Sequence, residues 1–508
     1  MEETENLKVN WGVIALVVVF LLAVAVRLYF FSAYNNQPVW WDESEHLVMA
    51  KHIAFETPKT GWNESREILL PLIFSFFFKI FNSEAAVRFL QVIFSLLAVF
   101  LTYLVGKEIF DRNIGLIAAL GMAVSSELLF WTFRFGLEPL GITLSLSTIL
   151  FFWKGHIKKG KPYFTILAAV FGALAFMASA KEVLIILAIF FSLILSANFR
   201  FLKDKKILVA LLIGFVLLTP YMAYYKSATG SFLPRSTATS AALGESLANS
   251  QWSWGNFLFF IKYIPSYLQL PWFILFLIGL VIVLINLVLG LDLSIRSKDE
   301  SWKESGKYLL LVLWILLPLF FFSYPLGIAP GNYGEPRFML EAMPAIFFVM
   351  ALGLQKIHES LAKYGKGIAI AFTILVLLLG AFYQLRLADA SLKSKETSFL
   401  QVKQAGLWIK ENSQVSDWVI VASSPQVTYY SERQTQGPPE SEEEFLRFVR
   451  EKKPKFMVLS AFEPHPNWYL EWPASHTSAV KLVQAYSAGQ TGQQSAVLVI
   501  YELTSYSP

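Results

Sequence analysis

The chain has 508 residues, 55% of them hydrophobic and 16% charged, with a mean hydropathy of +0.52 and a formal net charge of +5. Soluble globular proteins carry roughly 25% charged residues, so the composition indicates a polytopic membrane protein and argues against a basic nucleic-acid binder. Cysteine is absent, which excludes disulfides, thiolate metal sites and Cys nucleophiles.

The first apolar run, "WGVIALVVVFLLAVAVRLYFFSA" at 11–33, is too long for the apolar core of a signal peptide and lacks a convincing cleavage site. It predicts a retained transmembrane helix. The polar stretch 34–86 follows. Within it "ILLPLIFSFFFKIF" (68–81) is short and holds Pro71 and Lys79, so it predicts an interfacial helix. Further spans are expected at 87–106, 114–131, 138–153, 163–179, 183–198, 207–225, 270–290, 307–325, 338–355 and 367–385, about eleven crossings in all. No internal repeat marks the membrane part.

Lys and Arg collect in "KGHIKKGKPY" (154–163), "NFRFLKDKK" (198–206), "SIRSKDESWKESGK" (294–307) and "QKIHESLAKYGKG" (355–367), alternating with loops poorer in basic residues. By the positive-inside rule the N-terminus is cytoplasmic, and the 34–86, 226–269 and 326–337 loops and the C-terminus face outward. After about residue 390 helical and strand patterns alternate: "VKQAGLWIKEN", "DWVIVAS", "ESEEEFLRFVREKK", "KFMVLSA" and "SAVLVIYEL". The expected organisation is a membrane domain over 1–390 and a small outward-facing α/β domain over 391–508.

Four ionisable clusters fall on the outward side. In "WWDESEHLVMAKHI" Asp42 and Glu45 fit a helix-capping pattern, an acid at the N-cap and another three residues on. His46, one turn after Asp42, could share a metal with it, or could be a polar interfacial histidine. In "FWTFRFGLEPLGITLSLS" Arg134 and Glu138 are four apart, the spacing of an intrahelical ion pair. Lys181 and Glu182 occupy a tight turn in "FMASAKEVLII", and in "YGEPRFMLEAMP" Arg337 meets the end of a span with Glu341 one turn deeper. Acids and cations gathered at one face point to a site.

The order of these features resembles the GT-C glycosyltransferases, in particular the branch of protein O-mannosyltransferases and the lipid A aminoarabinose transferase. The likeness covers nearly the whole membrane part. "WWDESEHLVMAKHI" resembles the Asp-Glu first loop, "SEAAVRFLQVIFSLLAVFLTYLVGKEIFDRNIGLIAAL" the Arg-containing second span and its return, and "TFRFGLEPL" the Arg-then-acid opening of a later span. "ASAKEVLI" resembles the Lys turn, "TPYMAYYKSATGSFL" the Pro-aromatic to Thr-Gly segment, and "EPRFMLEAMPAI" the Arg-aromatic motif before a late span. "REILLPL" keeps Arg66 and Pro71 but lacks the family's Pro pair.

The resemblance implies a GT-C fold and transfer of a sugar from a polyprenyl-phosphate donor to an acceptor, with inversion. It implies Asp42 as general base, Glu43 and Glu138 as orienting acids, and Arg337, Lys181 and Arg134 as ligands of the donor phosphate. Arg66, Trp41 and His46 fall to the acceptor or sugar, although an interfacial aromatic belt accounts equally well for the Trp residues. The partners implied are the lipid-linked donor, a protein, lipid or glycan acceptor, and membrane lipids, with no nucleic acid. No cofactor is certain; some GT-C members use a divalent metal on paired acids, and the densest acids here are Asp42, Glu43 and Glu45. The alternatives are a transporter or lipid flippase, which should carry acids near mid-span, and a non-catalytic scaffold.

Overall fold

The structure, a computed structural model, describes residues 10–197, 203–232, 254–296, 302–323, 336–487 and 496–504. Parts of the predicted 226–269 and 326–337 loops, and of the basic loops 198–206 and 294–307, lie outside the described residues.

The membrane part runs through α1 (Trp11–Tyr34), α2 (Trp41–Phe55), α3 (Leu69–Phe81), α4 (Glu84–Ile109), α5 (Arg112–Val124), α6 (Ser126–Thr132) and α7 (Glu138–Phe152). It continues through α8 (Pro162–Ala178), a 3₁₀ turn Ala180–Glu182, α9 (Val183–Ala197), α10 (Lys205–Thr229), α11 (Trp254–Arg296) and α12 (Trp302–Ser323). A second 3₁₀ turn, Pro336–Ala342, leads to α13 (Met343–Ala362) and α14 (Lys366–Ser394). Among the described residues seven helices are long and apolar enough to cross a membrane, or eight with α5 and α6 taken as one span bent by 54°. The spans predicted at 163–179, 183–198 and 307–325 appear as the shorter apolar helices α8, α9 and α12. The 68–81 segment is α3, which buries Leu70, Phe74 and Phe78 and exposes Leu72, Phe76 and Ile80.

Two local features depart from the predicted elements. Residues 254–268, expected as loop, are helical, and α11 breaks at Gln269 (φ 58°, ψ 159°) shortly before Pro271. Proline cannot donate to the carbonyl four residues back; that carbonyl, Tyr267, instead accepts from Gln384 Nε2 on α14. Second, α11 and α13 approach very closely: a Cβ on Gly279 would lie 1.8 Å from the Val349 carbonyl oxygen, so the crossing needs glycine.

The C-terminal part contains α15 (Leu400–Asn412), β1 (Trp418–Val421), α16 (Ser424–Ser431), β2 (Gln434–Gln436), α17 (Glu442–Lys452), β3 (Phe456–Ser460), α18 (Asn467–Ser475), β4 (Val480–Ser487) and β5 (Ala496–Leu503). The sheet order is β2-β1-β3-β5-β4, with β1 parallel to β2 and β3 and β5 antiparallel to β3 and β4. Alternate residues face opposite layers. Val419, Val421 and Val458 meet Val402, Ala405 and Ile409 of α15, while Ile420, Met457 and Leu459 meet Phe445, Val449, Tyr469 and Trp472 of α17 and α18. The predicted boundary at 390 falls inside α14, which continues to Ser394.

α4 is about 39 Å long and fixes the two ends of the bundle. At its start Glu84 and Arg88 pair beside the 34–41 segment, and near its other end Glu108 binds Lys158 at 2.7 Å. The basic loop after α7 is therefore at the opposite end from α2. Cysteines placed singly at Glu64 and Ser441 are expected to react with an impermeant thiol reagent from the same side of the membrane, and one at Lys159 from the other side only. The absence of native cysteine leaves a clean background. Labelling of Glu64 and Lys159 variants from one side would contradict this arrangement.

Candidate active site

The site is a cavity of about 850 Å³ lined by residues from α2, the segment before α3, α6, α7, the two 3₁₀ turns and the end of α14. Its acids and cations come largely from helix starts. Asp42 and Glu43 lie in the first turn of α2, where free N–H groups and the helix dipole favour negative charge. The residue fulfilling the capping role is Glu43, whose carboxylate accepts from the Trp40 N–H at 2.9 Å. Asp42, expected at the N-cap, is thereby left to project into the cavity.

Asp42 is shared by two guanidinium groups. Oδ1 lies 2.6 Å from Arg66 Nη2 and Oδ2 3.0 Å from Arg337 Nη2. Arg66 also binds Glu45 through Nε at 2.5 Å, and Trp41 Nε1 donates to Glu45 at 3.2 Å. Burial alone would push the Asp42 carboxyl up, but Arg66 and Arg337 outweigh it and hold the group at about 2. His46 is buried one turn on. Burial, with Arg66 adding, pulls it down to about 3, so the ring is neutral. Glu45 is raised by burial despite Arg66.

Opposite this group sits Lys181, in the turn between α8 and α9, 2.6 Å from Glu341 and 3.3 Å from Glu138. Burial would lower the ammonium, but Glu341, Glu138 and Glu182 raise it, so it stays charged. Glu182 accepts from Ser145 at 2.5 Å and is pushed up to about 8 by burial, with Glu341 adding. Arg337 also lies over the Trp131 ring at 5.3 Å, so cation and aromatic face meet at one wall.

Asp42, Glu43, Glu138, Arg337, Lys181, Arg66, Trp41 and His46 all line the cavity. Arg134 does not. It is fully buried behind the wall, held by Glu43 at 2.5 Å and Gln37 at 3.0 Å and stacked on Trp40 at 4.0 Å. It precedes α7, which begins at Glu138, so the expected intrahelical pair does not form. Its partner is a sequence-distant acid, which spacing could not reveal. The cavity adds Glu67, Glu127, Ser391, Ser394 and Lys395, which no local motif marks. Arg27, inside the first span, is buried against Ser95 and the Ala123 carbonyl.

The acids near the mouth are paired with guanidinium or ammonium groups, and among the described residues no three His, Cys, Asp or Glu side chains form a metal-ligand group. Among the described residues the Asp42–His46 pair finds no third ligand, and Asp42 is already bound by two guanidiniums.

Residues 65–224 match a family described as dolichyl-phosphate-mannose-protein mannosyltransferase. By structure the chain is similar to ArnT from Cupriavidus metallidurans bound to undecaprenyl phosphate, with TM-score 0.63 and 10% identity over 98% of this chain and 99% of that one. It is also similar to the apo oligosaccharyltransferase of Archaeoglobus fulgidus, with TM-score 0.58 and 14% identity over 89% and 70% of the two chains. AglB of Archaeoglobus fulgidus, in complex with an inhibitory peptide and a dolichol-phosphate, matches with TM-score 0.57 and 14% identity over 88% and 69%. No protein of curated function matches the sequence. The likenesses establish the fold, which is the GT-C architecture that the ordered motifs predict.

Removing one partner of a buried ion pair leaves a charge without compensation. Arg134→Ala is expected to lower stability by about 3–5 kcal/mol, measured by unfolding in detergent, and Arg134→Ala combined with Glu43→Ala should recover part of the loss. A single-variant loss below about 1 kcal/mol, the level of an exposed pair, would contradict this placement.

Proposed function

We propose that this chain is a membrane glycosyltransferase of GT-C type that moves a sugar from a polyprenyl-phosphate donor to an acceptor hydroxyl with inversion, on the extracytoplasmic face; its fold and the family match over residues 65–224 support the reading. The observation that carries the reading is Asp42, ionised and held between Arg66 and Arg337 at the wall of the cavity. The orientation rests on the basic loops; the one after α7 lies at the end of the bundle opposite the site. Matched structures hold undecaprenyl phosphate and dolichol-phosphate, which supports a lipid phosphate as the donor's handle.

The residues divide the work as follows. The donor is a phosphodiester and the leaving group a phosphate monoester, so negative charge grows on the phosphate as the glycosidic C–O bond breaks. With a second pKa near 6 the product departs without a proton donor, and cations stabilise it. Arg337 is the principal phosphate ligand. Lys181 is a second cation of the cavity, although Glu138 and Glu341 already neutralise it. When phosphate occupies Arg337, Asp42 loses one of the guanidiniums that depress its basicity. It can then take the acceptor hydroxyl proton as the oxygen attacks the anomeric carbon opposite the phosphate. Glu43 holds the helix start, and Arg66, Trp41 and neutral His46 shape the acceptor side. Arg134 anchors Glu43 instead of touching the phosphate.

With purified protein and a labelled polyprenyl-phosphate sugar, Asp42→Asn should lower kcat by about 10²–10⁴ with the fold intact; activity within about tenfold of wild type would remove Asp42 as base. Arg337→Ala should raise the donor KM, and Arg337→Lys should rescue only in part, because a fork of donors becomes a point charge. An unchanged donor KM in both variants would refute the phosphate role.

The pH profile supplies a further test. Asp42 must be ionised to act, and in the free enzyme it stays ionised down to about pH 2. Donor binding weakens the Arg337 contact and raises the carboxyl. The acid limb of kcat, which reports the complex, should therefore lie at higher pH than any Asp42 limb in kcat/KM. Coincident limbs would show that donor binding leaves Asp42 unchanged.

A further inference from the structure

We infer that Tyr430 and Gln426, on α16 of the C-terminal domain, are positioning residues for the reaction: they clamp Val39 and so fix the start of the helix that carries Asp42. The inference rests on Asp42 as the general base, and it gives the C-terminal domain a part in catalysis beyond covering the membrane domain.

The segment 36–39 has no regular structure, and its polar groups are tied from two sides. From the membrane domain, Arg88 donates to the Gln37 carbonyl at 2.9 Å, and Arg134 reaches the Gln37 side chain at 3.0 Å and the Pro38 carbonyl at 3.4 Å. From the C-terminal domain, Lys403 binds the Asn36 side chain at 2.7 Å. Both backbone groups of Val39 are then satisfied by α16: the Val39 N–H donates to Tyr430 Oη at 2.9 Å, and Gln426 Nε2 donates to the Val39 carbonyl at 3.2 Å. Val39, Tyr430 and Gln426 are buried. A lost partner there leaves an unpaired backbone group that water cannot reach.

Two residues beyond this clamp α2 begins at Trp41, with Asp42 in its first turn. Displacing Val39 therefore displaces Asp42 relative to Arg66 and Arg337, which belong to other segments. The rest of the docking surface leaves α16 little freedom. Lys51 of α2 binds Glu432 at 2.8 Å and the Tyr429 carbonyl at 3.3 Å. Tyr429 Oη donates to Glu84 at 2.8 Å, and Thr60 meets Thr428 at 3.2 Å. Gly61 (φ 87°) lies so close to α16 that a Cβ would come within 2.7 Å of the Pro425 Cα. α16 itself is buried along its whole length, so the C-terminal domain uses this helix as the back wall of α2.

The test compares Tyr430→Phe with Tyr469→Phe in the full-length protein. Tyr469 Oη bonds the Ile420 and Val458 carbonyls inside the same domain and does not touch α2 or α16, so its variant reports a lost buried hydroxyl alone. Tyr430→Phe is expected to lower kcat by about ten- to a hundredfold with the donor KM nearly unchanged. It should also speed amide hydrogen exchange across residues 39–43, while Tyr469→Phe does neither. Gln426→Leu should reproduce the kinetic pattern. The inference is overturned if Tyr430→Phe keeps kcat within about twofold of wild type, or if Tyr469→Phe loses as much. It is also overturned if exchange across 39–43 is unchanged. The Asp42→Asn variant separates the two readings. If it is inactive while Tyr430→Phe is normal, the base stands and the clamp falls; if it is active, the base falls whatever Tyr430→Phe does.

Discussion

A carboxylate half-buried at the wall of a cavity loses part of its hydration, and at Asp42 two cations, Arg66 and Arg337, offset that loss. Much of the site follows from that requirement. The two arginines come from the segment before α3 and from the turn before α13, so three distant stretches of chain must meet at one point. The same arginines that keep Asp42 ionised also weaken it as a base. In the proposed reaction a ligand would have to take over part of their charge, as an anionic donor would on binding.

A second layer of charge sits where it cannot touch a ligand. Arg134 and Glu43 are both buried and bonded to each other, and Arg88 lies over Phe135 with bonds to Glu84 and the Gln37 carbonyl. Such pairs contribute little net stability compared with apolar packing, because desolvation offsets their attraction. Their directional bonds instead tie the 36–39 segment to α4 and to the turn before α7. Rigid support for an active loop commonly takes this form, and here it explains why so many ionisable groups in the motifs do not line the cavity.

Periodicity and composition made the membrane helices and the main strands legible in the sequence. The acids and cations at one face were legible as well, because ionisable groups at helix ends stand out against apolar runs. Pairings were not. Arg134 and Glu138 stand at helical spacing, yet Gly136 and the turn before α7 separate them, and each finds a partner more than forty residues away. α16, "SPQVTYYS", shows no apolar stripe because its buried partners are backbone groups of Val39 and the side chains of α2. The helix before Gln269 was hidden for a related reason. Pro265 and Pro271 read as breakers, whereas Gln384 satisfies the carbonyl that Pro271 frees.

The Lys181 cluster sets the balance of charge on the far wall. Three buried carboxylates, Glu138, Glu182 and Glu341, surround one ammonium, and full ionisation of all three would leave an uncompensated charge in a medium that screens poorly. Burial and the nearby Glu341 push Glu182 up, against the Ser145 hydroxyl, which donates to it at 2.5 Å and favours the anion. Even with Glu182 neutral, Glu138 and Glu341 outnumber Lys181, so this cluster has no spare positive charge to attract an anion. Arg337 and Arg66, which share Asp42, remain as cations on the cavity wall together with Lys395. In the proposed reaction a donor phosphate on Arg337 would share a guanidinium that holds Asp42, which would link occupancy of the site to activation of the base.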